Sequence, residues 1–228
     1  MINSQEISMS LEQSIRNRRS VRGFLDKPVP EAIINRAFEL AQLSPSNSNV
    51  QPWKVFVASG ETRNTIQKKM YELITGGDLG KPDFEYPMKF DGSYRKRQVD
   101  CAATLYKEMG IAREDQLGRM NALLRNFEFF GAPHMAFVCM EKEFPQSVAV
   151  DVGMYAQTLM LAFTALGVST CPMGAMRNHP QLPREVFEFE ENIGVLFGIA
   201  FGYEDTSVPA NKTRMGRVPY TECVEFRN

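Results

Sequence analysis

The sequence has no excess of charge of either sign: 26 basic residues stand against 27 acidic ones, a formal net charge of -1. A general nucleic-acid or membrane-surface binder meets phosphate with a strong basic excess, so neither partner is expected. Histidine is scarce. His134 and His179 are the only two, neither at ligand spacing from a carboxylate, and no metal site is expected. The four cysteines, Cys101, Cys139, Cys171 and Cys223, form no C-x-x-C pair and fit neither a zinc site nor a disulfide framework. Reduced, mostly buried thiols in a cytoplasmic protein are the expectation. No G-x-G-x-x-G string occurs, which leaves a Rossmann dinucleotide site unsupported. The run Gly76 to Lys81 has Thr75 where a phosphate loop needs its first glycine and Pro82 where it needs Ser or Thr. Residues 1–10 carry no basic run leading into an apolar stretch, so a secretory signal is not expected. The longest apolar-rich stretch, Val148 to Val168, is interrupted by Asp151 and Gln157, and reads as a buried helix rather than a membrane span.

What is present is enough apolar material for a core: 43% of 228 residues. Ser10 to Gln13 is a capping-box pattern and predicts a helix from Leu11 toward Arg18. A second helix opens at Pro30-Glu31 and ends at Ser44-Pro45, where proline disfavours the helical region for the residue before it. A strand is predicted at 55–58, a helix at 61–75, and a surface excursion over 78–97, rich in Gly, Pro and charge. Further helices are predicted around 98–109 and 114–130, strands at 135–140 and 193–203, and the apolar helix at 148–166. Helices interleaved with separated strands indicate an α+β fold, one sheet under helices, in one domain over 1–228. A C-terminal arm, 204–228, closes on an alternating run, Thr221 to Phe226, of a kind that adds a strand to a neighbouring subunit's sheet.

Two segments carry the densest chemistry. Arg18-Arg19-Ser20-Val21-Arg22 sets three guanidiniums and a hydroxyl within five residues, an anion site because the arginine fork matches phosphate oxygens. The same residues also suit a solvated basic helix end. Ser44 to Trp53 holds short hydroxyl and amide side chains between prolines, which fits a ligand loop or a plain turn. Phe127, Phe129 and Phe130 are candidates either for core or for a pocket wall.

Taken together, R-R-S-V-R-x-F followed by P-S-x-x-N-x-Q-P-W resembles the FMN-dependent nitroreductase family. The resemblance continues through Phe129-Phe130-x-Ala132-Pro133, Asp151-x-Gly153, Gly167 to Gly174, Gly198 to Gly202 and Arg217-Val218-Pro219, nearly the whole chain. Tyr94-Arg95 and Arg125-Asn126 look most like its nitrobenzoate-reductase branch.

That resemblance implies a central, mostly antiparallel sheet flanked by helices, in an intertwined homodimer. It implies FMN as cofactor and NADH or NADPH as co-substrate, passing hydride through flavin N5 to a small nitroaromatic or quinone-like acceptor. No catalytic side chain is required. Arg18, Arg19, Ser20, Arg22 and Arg217 match the positions that hold the FMN phosphate and ribityl chain. Pro45, Ser46, Asn47 and Asn49 match the loop that reaches the flavin from a partner subunit. Pro172, Met173 and Gly174 match the segment whose backbone approaches N5, and Arg125 is a candidate near N1 and O2. Two departures stand out: Met215 replaces a second basic residue before the final arginine, and Met173 replaces a polar or acidic one. The flavin site alone does not fix the acceptor, so reductive dehalogenation, enone reduction or a non-catalytic FMN-binding role stay open.

Overall fold

A computed structural model of the chain describes residues 9–85 and 89–227. Most of the N-terminal segment read for a signal therefore lies outside the described residues, as does 86–88 of the excursion. The elements are α1 (Leu11–Asn17), α2 (Glu31–Ala41), β1 (Lys54–Ser59), α3 (Gly60–Thr75), α4 (Gly92–Glu108), α5 (Gln116–Leu124), β2 (His134–Glu141), α6 (Ala149–Ala165), β3 (Ser169–Met173), α7 (Gln181–Phe187) and β4 (Ile193–Gly202).

The four strands form one antiparallel sheet in the order β1-β2-β4-β3. This is the helix-flanked antiparallel sheet that the sequence led us to expect. Both faces are covered. Met135, Phe137 and Cys139 of β2 point into a core cluster shared with α3 and α7, while Ala136, Val138 and Met140 join a second with α2 and α6. Burial on both faces explains why β2 is apolar throughout instead of alternating with polar residues. The apolar stretch is core: α6 buries Val152, Tyr155, Leu159 and Phe163 between the sheet and α2.

Several boundaries differ from the sequence expectations, each for a local reason. The capping box forms as expected, with Ser10 Oγ accepting the Gln13 N–H at 3.2 Å and Gln13 Oε1 accepting the Ser10 N–H at 2.7 Å. α2 stops at Ala41, ahead of Ser44-Pro45. α4 begins at Gly92, inside the stretch taken for a surface excursion. The helix expected over 114–130 ends at Leu124, because Phe129 and Phe130 adopt left-handed backbone (φ 54° for both) in a 3-10 turn. Phe127, Phe129 and Phe130 are all buried in the core. β3 and α7, which periodicity did not suggest, carry Pro172 and Pro183. The run from Thr221 to Phe226 forms no strand; a 3-10 turn over Tyr220–Glu222 follows Pro219 instead.

The excursion is pinned to the sheet near its start. Asp83, almost fully buried, accepts from Arg184 Nη2 at 3.1 and 3.0 Å and from the Val195 N–H at 2.9 Å, with Lys142 Nζ at 3.3 Å.

His134, at the start of β2, is buried against Phe201, their rings stacked at 4.9 Å. The Val29 N–H donates to its Nε2 at 2.9 Å, so Nδ1 carries the proton and donates to Ser59 Oγ at 2.6 Å. Burial holds its pKa below the ordinary 6.5. Below pH 6.5 the unfolded chain therefore binds a proton that the folded chain refuses, and stability falls. The contribution is complete above pH 6.5 and is lost as pH drops toward the depressed folded value. Denaturation of the wild type and of His134→Gln across pH 7.5 to 5 tests this: the wild type should lose stability more steeply below pH 6.5, and parallel profiles would refute the assignment.

Candidate active site

Arg18 to Arg22 has no regular structure of its own and is held extended from two sides. On one side Ser20 bridges Thr170 of β3 in parallel, and the Val21 N–H donates to the Thr170 carbonyl at 3.0 Å. On the other lies the segment after β4. Asn211, buried, accepts the Arg22 N–H through Oδ1 at 2.6 Å and donates through Nδ2 to the carbonyls of Gly23 and Asp205, both at 2.8 Å. Gly23 is needed there, since a Cβ would stand 2.6 Å from Val208. Arg19 forms an ion pair with Glu204.

The result is a cleft of 930 Å³. Arg18, Arg19, Ser20 and Arg22 form its half-buried part, and Arg217 reaches it from the C-terminal arm. Ile15 of α1, Arg97 and Cys101 of α4 and Gln157 of α6 complete the walls. Its size falls in the range of small-molecule and cofactor sites. Arg19 Nε is buried with no hydrogen-bond partner among the described residues, a donor in want of an acceptor.

The Cys171 thiol, behind Ser20, is pushed up to about 11 by burial, which outweighs the opposing pull of Arg22 and the Ser20 hydrogen bond. It stays protonated and inert at neutral pH.

β3 leads from the arginine segment to Pro172, Met173 and Gly174. Thr170 and Gly174 are four residues apart, roughly 13 Å along a strand. Met173 is buried in the core, so its replacement of a polar residue is a packing choice. Gly174 is exposed. The turn after it seats Met176 on Gly198 of β4, where a Cβ would come within 2.6 Å of the Met176 side chain.

Pro45, Ser46, Asn47 and Asn49 do not line this cleft. Their loop docks on α6 through Asp151, whose carboxylate accepts the Asn47 N–H at 3.1 Å. Asp151 and Gln157 are six residues apart, roughly 9 Å along the helix axis. Ser48, Asn49 and Gln51 all have positive φ (50°, 57° and 51°). Ser46 Oγ accepts the Gln51 N–H at 2.9 Å, and Gln42 bridges Gln51 to Trp53, whose ring stacks on Tyr155 at 4.8 Å. Arg125 is also apart: it lines a separate 360 Å³ cleft with Tyr71, Met109 and Glu128.

Sequence reading missed Asn211 and Glu204. In both cases the pairing partner is more than 180 residues away, and the local string resembles an ordinary loop.

The family model described as Nitroreductase family matches residues 15–203. Nitroreductase NfnB of Mycolicibacterium smegmatis is 35% identical over 226 residues, covering 97% of this chain and 94% of that protein. The 4-nitrobenzoate reductase of Pseudomonas putida is 30% identical over 203 residues, 89% of each chain. The crystal structure of the FMN-dependent nitroreductase NfnB from Mycobacterium smegmatis in complex with NADPH matches with a TM-score of 0.90 at 35% identity, covering 95% of this chain and 97% of that one.

Replacing Asn211 with alanine leaves the Arg22 N–H and two carbonyls to find other partners. A loss of about 1 to 3 kcal/mol is expected, the usual cost of orphaning a buried polar group. Urea denaturation measures it, and an unchanged midpoint would mean that water replaces the amide.

Proposed function

The chain belongs to the nitroreductase family, and we propose that it is an FMN-dependent oxidoreductase using NADH or NADPH to reduce small nitroaromatic or quinone-like acceptors. The observation that carries this reading is the convergence of Arg18, Arg19, Ser20, Arg22 and Arg217 on one cleft from opposite ends of the chain.

The residues present fit FMN. A terminal phosphate monoester suits the arginine forks, which bind its oxygens in pairs, and the unpartnered Arg19 Nε supplies a further donor. When bound, FMN supplies the hydride chemistry. This chain supplies position. Its arginines would fix the phosphate, Ser20 would hold the ribityl side, and the backbone of Pro172, Met173 and Gly174, at the end of β3, would meet the ring. No side chain is required as acid, base or nucleophile. Four free cysteines, Cys101, Cys139, Cys171 and Cys223, are compatible with a reducing compartment, and we place the protein in the cytoplasm.

We further propose that the active form is a homodimer, with Pro45, Ser46, Asn47 and Asn49 of one subunit covering the flavin of the other. Two features support it. The loop is rigidly built yet stands away from its own chain's arginine cleft. Exposed apolar side chains also lie on α1, on α6 and along the arm: Leu11 and Ile15, Val150 and Met154, and Tyr220, Val224 and Phe226. α1 packs on α6, and exposed apolar surface on two such neighbouring helices marks an interaction face.

Mass spectrometry of the released cofactor should give FMN and not FAD. Arg22→Ala or Arg217→Ala should weaken FMN binding by about ten- to a hundredfold, the loss of one charge-assisted contact. Titration of apoprotein decides it, and unchanged affinity in both variants would put the phosphate elsewhere. A chain ending at Pro219 keeps Asn211 and Arg217 but loses Tyr220, Val224 and Phe226. Its dimer should dissociate at higher protein concentration than the wild type's in sedimentation. A wild-type protein that sediments as a monomer with full FMN and turnover would defeat the dimeric site.

A further inference from the structure

Ser48, Asn49 and Gln51 hold left-handed backbone, and none of them is a glycine. Such conformations persist only where the surroundings over-determine them, and they gather at sites that use the shape. Packing does not need the side chains that this backbone orients, since Asn47, Ser48 and Asn49 are all exposed.

Most of what fixes the loop is local. Ser46 Oγ accepts the Gln51 N–H at 2.9 Å, Gln51 Nε2 donates to the Asn49 carbonyl at 3.0 Å, and Gln42 Nε2 donates to Gln51 Oε1 at 3.0 Å. One tether comes from far along the chain: Asp151 Oδ2 accepts the Asn47 N–H at 3.1 Å across 104 positions. Asp151 is 8% exposed and is the single charged residue of α6. A carboxylate is costly to bury unless donors reach it. The first turn of a helix favours its charge, which accounts for an acid at that position. It does not account for the bond to Asn47, which ties the exposed amides to a rigid helix.

We propose that Asp151 is the positioning residue of the flavin site. By holding the Asn47 N–H, it keeps the amides of Asn47 and Asn49 aligned on the flavin that they cover. This rests on the reading of that loop as the cover of the FMN bound by the other subunit. Amide N–H donors favour a ring that has gained electron density over one that has not. Aligned donors therefore make bound FMN easier to reduce, and a loosened loop makes it harder.

The test compares FMN-loaded wild type with Asp151→Ala, Asp151→Leu and Asp151→Asn. Leucine fills a similar volume without an acceptor, whereas asparagine keeps an oxygen that can take the Asn47 N–H without the charge. In the alanine and leucine variants, FMN content and sedimentation should match wild type. Their preference for reduced over oxidised flavin should fall about tenfold, a drop of about 30 mV in midpoint potential for a two-electron couple. Asp151→Asn should restore the wild-type potential. An unchanged potential in the alanine and leucine variants, or an asparagine variant that behaves like alanine, would overturn the proposal. So would a chain that folds with asparagine but with neither alanine nor leucine, because Asp151 would then serve the fold. A wild type that takes up no FMN would defeat the oxidoreductase reading itself, whereas one potential shared by all four proteins defeats only the role of Asp151.

Discussion

Like charges have to be held together against their own repulsion, and the cleft of this protein is organised around that constraint. Two guanidiniums 4 Å apart repel by about 1 kcal/mol in water and about 4 kcal/mol at the effective dielectric of a protein surface. Arg18, Arg19 and Arg22 cannot be gathered by a flexible loop. Backbone pairing of Ser20 and Val21 with Thr170 fixes the segment to the sheet, and the Asn211 side chain fixes it to the chain beyond β4. Glu204 offsets one charge. Without the sheet edge at β3 and the amide at Asn211, the segment would be an ordinary solvated helix end.

The loop from Pro45 to Gln51 meets a different difficulty with the same method. Three non-glycine residues in left-handed backbone cost of order 1 kcal/mol or more each. The fold over-determines the shape from several directions: Ser46 caps the Gln51 N–H, Asp151 receives the Asn47 N–H, and Trp53 anchors the exit on Tyr155. This also explains a buried carboxylate in the first turn of the mostly apolar α6.

How much of this was legible depended on how local each signal is. The capping box at Ser10 and the buried helix α6 are written in consecutive residues, and the structure reproduces them. The arginine segment and the polar loop stand out because their side chains are dense within a few positions. β3 was invisible because Ser169, Thr170 and Pro172 resemble a turn, and only pairing with β4 makes them a strand. Phe129 and Phe130 fit a helical pattern in sequence, yet the left-handed turn before Ala132-Pro133 redirects them into the core. Asn211 and Glu204 act through residues at the other end of the chain, and nothing in their neighbours announces it. Arg125, chosen by position in a motif, opens on a different cleft.

The clamp on Gly23 and Arg22 joins residues 188 and 189 positions apart, and the Arg19 ion pair joins residues 185 apart. Contacts of such sequence separation form late, because the closure entropy has to be met before they return anything. During synthesis the first helix and its arginines leave the ribosome long before their partners exist. Through that interval the basic segment is an unpartnered polycation. Maturation of the cleft therefore waits for the segment around Asn211, which follows β4 in the chain. Until residue 211 has been made, the arginines have no frame that holds them on one side of a cleft.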